Sequence, residues 1–226
     1  MRVLSRVLRR ARAVLGEGAS LGKALFRTRL RSARRLVQSL HRLGRRKGEA
    51  AAEAMRQAYA RLIAVTKKTC AQATRIGTAL RERPEPPARR LARQLDTFLP
   101  RVEQAIAQAA RRVLQGETVP AGEKIVSLFE PHTQIIVRHK AGKPVEFGRK
   151  LWLEEVEGGI ISGWHLLDQP GQDAAHLMPS LVAHQARFGR PPWLVTGDRG
   201  VFSAENERRA KAAGVKRVWS SRRSAR

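Results

Sequence analysis

Cysteine is almost absent from this chain of 226 residues: Cys70 is the single one. An intramolecular disulfide is therefore excluded, as is a zinc site of the Cys-rich kind, and the usage fits a reducing compartment. Long apolar runs are missing as well. No stretch of about 18 apolar residues occurs, so the sequence offers no membrane-spanning helix. Acidic residues are scarce, with 19 Asp and Glu against 45 Lys and Arg. No Ser-His-acid arrangement, P-loop or dinucleotide glycine signature is recognisable, which removes the sequence support for the enzyme classes that those motifs mark. The six histidines form no compact metal cluster in sequence, and His176 and His184, eight residues apart, are too distant for joint chelation.

What the chain has in excess is positive charge, a formal +26 at neutral pH. Such a field attracts polyanions before any specific contact forms. It selects a class of partner, nucleic acid first, but does not distinguish DNA from RNA or from an anionic membrane. The charge is uneven: residues 1–120 hold 28 basic and 8 acidic side chains, whereas the remainder holds 17 and 11. The N-terminal half is thus the polyanion-facing half. Its opening, MRVLSRVLRRARAVL, is Arg-rich, acid-free and amphipathic, as a transit peptide or membrane-surface helix would be. The basic helical pattern nevertheless continues for roughly a hundred residues, far beyond a cleavable leader.

Hydrophobic periodicity divides the chain into two textures. Val3, Leu4, Val7, Leu8, Ala11, Val14 and Leu15 form a one-sided helical stripe, and Leu30 to Leu43 repeats the pattern. Residues 50–80 read as a long Ala-rich helix with Met55, Tyr59, Leu62, Ile63 and Thr66 inward. RPEPPARR breaks it, and a last helix follows from Pro87 to about Leu114, with Pro100 expected to kink or divide it. After GETVPAGE, short β-branched and aromatic runs predict strands at Lys124–Phe129, Ile135–Arg138, Glu146–Val156 and Ile160–Leu167, with EVEGG as a hairpin turn. A helix from Asp173 to Phe188, a strand at Trp193–Thr196, a helix from Ala204 to Ala213 and a strand at Val215–Trp219 complete an α/β pattern. The expected domains are a basic helical segment over 1–120, an α/β core over 121–220 and a basic tail over 221–226.

Asp198 lies at the expected carboxyl end of a strand, flanked by Gly197 and Gly200, where polar functional groups gather in α/β sheets. A carboxylate there can ligate Mg²⁺, or it can simply belong to a strand-end turn. Arg138, His139, Lys140, Lys143, Arg149 and Lys150 form a basic run beside the predicted hairpin. They suit DNA phosphates, and equally a solvated strand edge protected from aggregation. Glu154, Glu155 and Glu157 fall beside a turn, and Glu205 and Glu207 fall in a first helical turn, where acids complement the dipole.

The segments SLFEPHT, KAGKPVEFGRK and GDRGVFSAENE occur in that order within residues 123–218. This stretch resembles bacterial insertion-sequence transposases of the DDE class, and the basic helices resemble the insertion that those enzymes carry. The resemblance implies a partial RNase H-like mixed sheet bearing a large all-α basic insertion, in a cytoplasmic, nucleoid-associated DNA-binding protein with no membrane partner, and allows for a homo-oligomer. In that family three acids hold two Mg²⁺ or Mn²⁺ ions, about 4 Å apart, for DNA cleavage and strand transfer. Asp198 matches the second acid. Arg138, Lys140, Lys143, Arg149, Lys150 and Arg199 are the phosphate contacts expected on this reading. The first acid is expected upstream of Met1, and the third, a Glu, beyond the ending SSRRSAR, so the chain is expected to be a truncated form with incomplete catalysis. The alternative is a non-enzymatic basic nucleic-acid-binding protein.

Overall fold

The computed structural model describes residues 1–16, 22–140, 142–167, 173–198 and 200–220, without the side chains of residues 138, 139, 140, 143 and 220. Two compact units divide the chain, Met1–Ile135 and Ile136–Arg226. The expected basic tail, 221–226, lies outside the described residues.

The first unit is helical. Its elements are α1 (Arg2–Leu15), a 3₁₀ turn (Lys23–Phe26), α2 (Leu30–Leu43), α3 (Glu49–Arg81), α4 (Pro86–Ala109) and a π-turn (Ala110–Leu114). The apolar stripe of α1 packs against α3 and α4, and Leu4, Leu8 and Ala11 are completely buried. The stripe that made α1 look like a membrane-surface helix is thus spent in a core shared with Ile76, Leu80, Leu91 and Leu95. Gly77 allows close approach of α3 and α4, since a Cβ there would stand 3.4 Å from Leu95 Cδ1. The loop after Arg81 carries the expected proline break, with proline at the first positions of α4, where its missing donor costs nothing. Of the two expected effects of Pro100, division does not occur: α4 runs through it unbroken.

The predicted strand Lys124–Phe129 is not one. Its backbone groups are taken by side chains of α4: Gln108 Nε2 donates to Ile125 O and Ile125 N donates to Gln108 Oε1, both at 2.9 Å. Arg101 Nη1 donates to Leu128 O at 2.7 Å, and Gln104 Nε2 to Glu123 O at 3.1 Å. The amide of Gln108 therefore does for Ile125 what a neighbouring strand would have done.

The second unit mixes strands and helices. β1 (Gln134–Lys140), which begins at the unit boundary, pairs with β2 (Lys143–Gly148), so the predicted single strand Glu146–Val156 is in fact the end of β2 and the whole of β3 (Leu151–Val156). β3 pairs antiparallel with β4 (Ile160–Leu166) through the expected turn. Their ladder shifts register after Glu154, leaving Ser162 as the extra residue of a bulge. A 3₁₀ turn (Asp173–His176) leads into α5 (Leu177–Phe188), followed by β5 (Leu194–Gly197), α6 (Ala204–Ala212) and β6 (Arg217–Ser220). β5 and β6 run parallel, Leu194 opposite Arg217 and Thr196 opposite Trp219, so β5, α6 and β6 make one β-α-β crossover. Among the described residues the strands pair two by two, as three two-stranded sheets. The small core beneath them consists of Leu177, Leu181, Val201, Ala210 and Val215, with Val195 and Val218 packed on it. Among the described residues no helix is long and apolar enough to cross a membrane.

Candidate carboxylate site and nucleic-acid interface

Asp198 follows directly on Gly197, the last residue of β5, and its side chain is exposed. The chain turns there, Val201 N donating to Asp198 O at 2.9 Å, and re-enters the core at Val201. Two devices fix this turn. Ser203 caps α6 by accepting from Asn206 N at 3.1 Å. The buried Asn206 then donates from Nδ2 to Val201 O at 2.9 Å and to Ala174 O at 2.6 Å, tying the turn to the 3₁₀ turn before α5.

That second tie brings up a carboxylate the sequence reading did not single out. Gly200 lies so close to Asp173 that a Cβ on it would stand 3.3 Å from Asp173 Oδ2. A glycine at that position lets the two loops meet. Asp173 Oδ1 in turn accepts from Lys150 Nζ at 3.3 Å, so Lys150, expected on DNA phosphate, is engaged by an acid. No local signal marks Asp173; it sits at the start of a helix, where an acid is commonplace. Among the described residues no group of three His, Cys, Asp or Glu side chains could hold a metal ion. Asp198 alone does not make the donor set that a pair of divalent ions needs, so the residues described do not fit the metal cage implied by the resemblance.

His165 and His176 also meet, although nothing in their spacing predicts it: Nε2 of one lies 3.2 Å from Nδ1 of the other. Trp152 packs on both rings and donates from Nε1 to Ser180 Oγ at 2.8 Å, binding the β3–β4 hairpin to α5.

Of the other basic site residues, Arg149 is exposed between β2 and β3. Arg138, Lys140 and Lys143 belong to the backbone of β1 and β2, but their side chains, like the whole of Arg199, lie outside the described residues.

The strongest cationic surface in the described residues is on the helices. Arg2, Arg6, Arg9, Arg10 and Arg12 of α1 are all exposed, and so are Arg31, Arg34, Arg35 and Arg42 of α2 and Arg45, Arg46 and Lys47 after it. No acid occurs between Glu17 and Glu49, so the charge of α2 meets no carboxylate of its own segment. α3 and α4 differ. Glu53 pairs with Arg56, Asp96 with Arg81, and Arg111 reaches both Glu117 and Glu123. Hydrogen bonds from Arg56 and Gln57 hold the Glu53 carboxyl below its ordinary range. Hydrogen bonds to Glu117 and Glu123 push the Arg111 guanidinium higher still.

α2 packs on α3, and the segment leading into it is held by one buried side chain. Gln72 donates to the carbonyls of Ala24 and Leu25 at 2.9 Å and of Arg27 at 3.4 Å, while its oxygen accepts from Arg29. The acid-free arginines are thereby presented from a fixed support.

No family model, curated protein or solved structure matches the chain.

Proposed function

We propose that this chain is a DNA-binding protein of the insertion-sequence transposase class, related to RNase H-like DDE enzymes, which holds duplex DNA through α1 and α2 and does not cleave it unaided. The observation that carries the DNA-binding part is the arginine-bearing, acid-free surface of α2 and the segment after it, on a helix that packs against α3 and whose leading segment is held by Gln72. The class is supported by the ordered motifs over residues 123–218 and by the position of Asp198 at the carboxyl end of a strand in a β-α-β crossover. On this reading Asp198 stands where the family has one of its three metal-holding acids, and the protein is nucleoid-associated.

Fluorescence anisotropy with a labelled duplex across a salt series tests the binding. Affinity should fall steeply with salt, each neutralised phosphate adding about 0.9 to the logarithmic slope. Replacing Arg31, Arg34 and Arg35 by Glu should weaken binding at least tenfold and flatten the slope by roughly two to three. An unchanged slope would remove the duplex from α2. Catalytic incompleteness is tested by incubating supercoiled plasmid with Mg²⁺ or Mn²⁺: nicking or joining that Asp198→Ala abolishes would overturn it. Equal affinity for duplex RNA would favour a general basic nucleic-acid-binding protein instead.

A further inference from the structure

The β5–β6 pair has two unlike faces. Val195 and Val218 point into the core, whereas the alternate residues Leu194, Thr196, Arg217 and Trp219 face outward and are exposed. Trp219 is 61% exposed, and Trp193, at the entry to β5, is 60% exposed. The Arg217 guanidinium lies over the Trp193 ring, 4.9 Å from its centroid, so one side of this surface is already an aromatic-cation stack. Lys211 of α6 and Lys216 at the start of β6 border the same basin, which has a volume of about 610 Å³. Its described lining contains three cations, of which Lys211 is paired with Glu207 at 2.8 Å.

Open indole faces within a cationic rim match the chemistry of an unpaired nucleobase strand: the bases stack on the rings while the phosphates meet the lysines and the arginine. An apolar protein partner would leave Lys216 and Arg217 to be desolvated against it, and a duplex hides its base faces. We propose that the outer face of β5–β6 binds single-stranded nucleic acid, with Trp193 and Trp219 as stacking platforms and Lys211, Lys216 and Arg217 as phosphate contacts. This deepens the DNA-binding reading and rests on it. The basin adjoins the carboxylate site in the chain, since Thr196, which lines it, is two residues from Asp198.

All four tryptophans, Trp152, Trp164, Trp193 and Trp219, belong to the second unit, so indole emission reports on that unit alone. Titrating the full chain with unlabelled oligothymidylate should quench emission saturably, and Trp219→Ala and Trp193→Ala should each weaken oligothymidylate binding roughly tenfold. Trp219→Phe, which keeps an aromatic face, should restore most of the loss. Duplex affinity, read by anisotropy, should stay within about twofold in all three variants, because duplex binding is assigned to the helices. Three outcomes overturn the proposal: no quenching while the duplex still binds, a quenching midpoint left unchanged in both alanine variants, or an alanine variant that lowers single-strand and duplex affinity together. Loss of duplex and single-strand binding in the unaltered protein would instead sink the DNA-binding reading itself.

Discussion

The helical unit and the strand-bearing unit solve the burial problem unequally. Among the described residues of the first, 17 buried apolar residues join one cluster, and four large hydrophobic side chains are left exposed. In the second, the corresponding cluster has five members, and fourteen large hydrophobics are exposed, among them Leu151, Leu153, Trp164 and Leu166 on one face of β3–β4. The difference is geometric. A helix carries its apolar residues in one stripe, and three helices close on such stripes without remainder. A strand pair has two faces, and here α5 and α6 cover one. The lesson is that the two units should differ in stability, the second opening first, each on its own transition. Urea unfolding followed by indole emission for the second unit, and by Cys70 labelling for the first, would separate the two.

The sharpest way to break this contrast is Leu8→Ala. Leu8 is completely buried between α3 and α4, and the change should cost the helical unit roughly 2–5 kcal/mol. Burial, more than the neighbouring Glu103, raises the pKa of the Cys70 thiol, so the intact core keeps it neutral and unreactive. In the variant, thiol labelling should accelerate while the indole transition stays in place. If the two transitions moved together, the units would not be independent.

The second unit has its own vulnerable point in Asn206, whose Nδ2 holds two carbonyls from different loops. Asn206→Ala removes both bonds and leaves Ala174 O and Val201 O short of a donor, a cost of about 1–3 kcal/mol. The indole midpoint should fall and the Cys70 signal should not. An effect under about 0.5 kcal/mol would mean that the turn beneath Asp198 is held by Ser203 and the backbone instead.

How legible each unit was follows from the same physics. α2 was readable to its end residues because its apolar spacing is local information, and α1 and α3 nearly so. The strands β4 and β5 were found where alternation was clean and β3 was merged with the end of β2, but Lys124–Phe129 has strand composition and no strand partner, since Gln108 and Arg101 of α4 occupy its backbone. The position of Asp198 at a strand end was visible in its flanking glycines. Asp173, the His165–His176 pair and the bonds of Asn206 were not, because each depends on segments brought together only by folding. Which residues share a surface is tertiary information, and the outward pairing of Trp219 with Thr196 is of that kind.

The smallest expected effect has the opposite sign and tests whether the better-packed unit is fully optimised. Ser5 is completely buried in α1, and its hydroxyl has no hydrogen-bond partner among the described residues. A hydroxyl taken from water without compensation is a cost that the unfolded chain does not bear. Ser5→Ala removes it, retains the Cβ and adds a residue of higher helix propensity. The expectation is a gain between zero and about 1 kcal/mol in the Cys70-reported transition, with the indole transition unchanged. A loss of more than about 1 kcal/mol would mean that the hydroxyl finds a partner in solution, and that the core around α1 is wetter than its packing suggests.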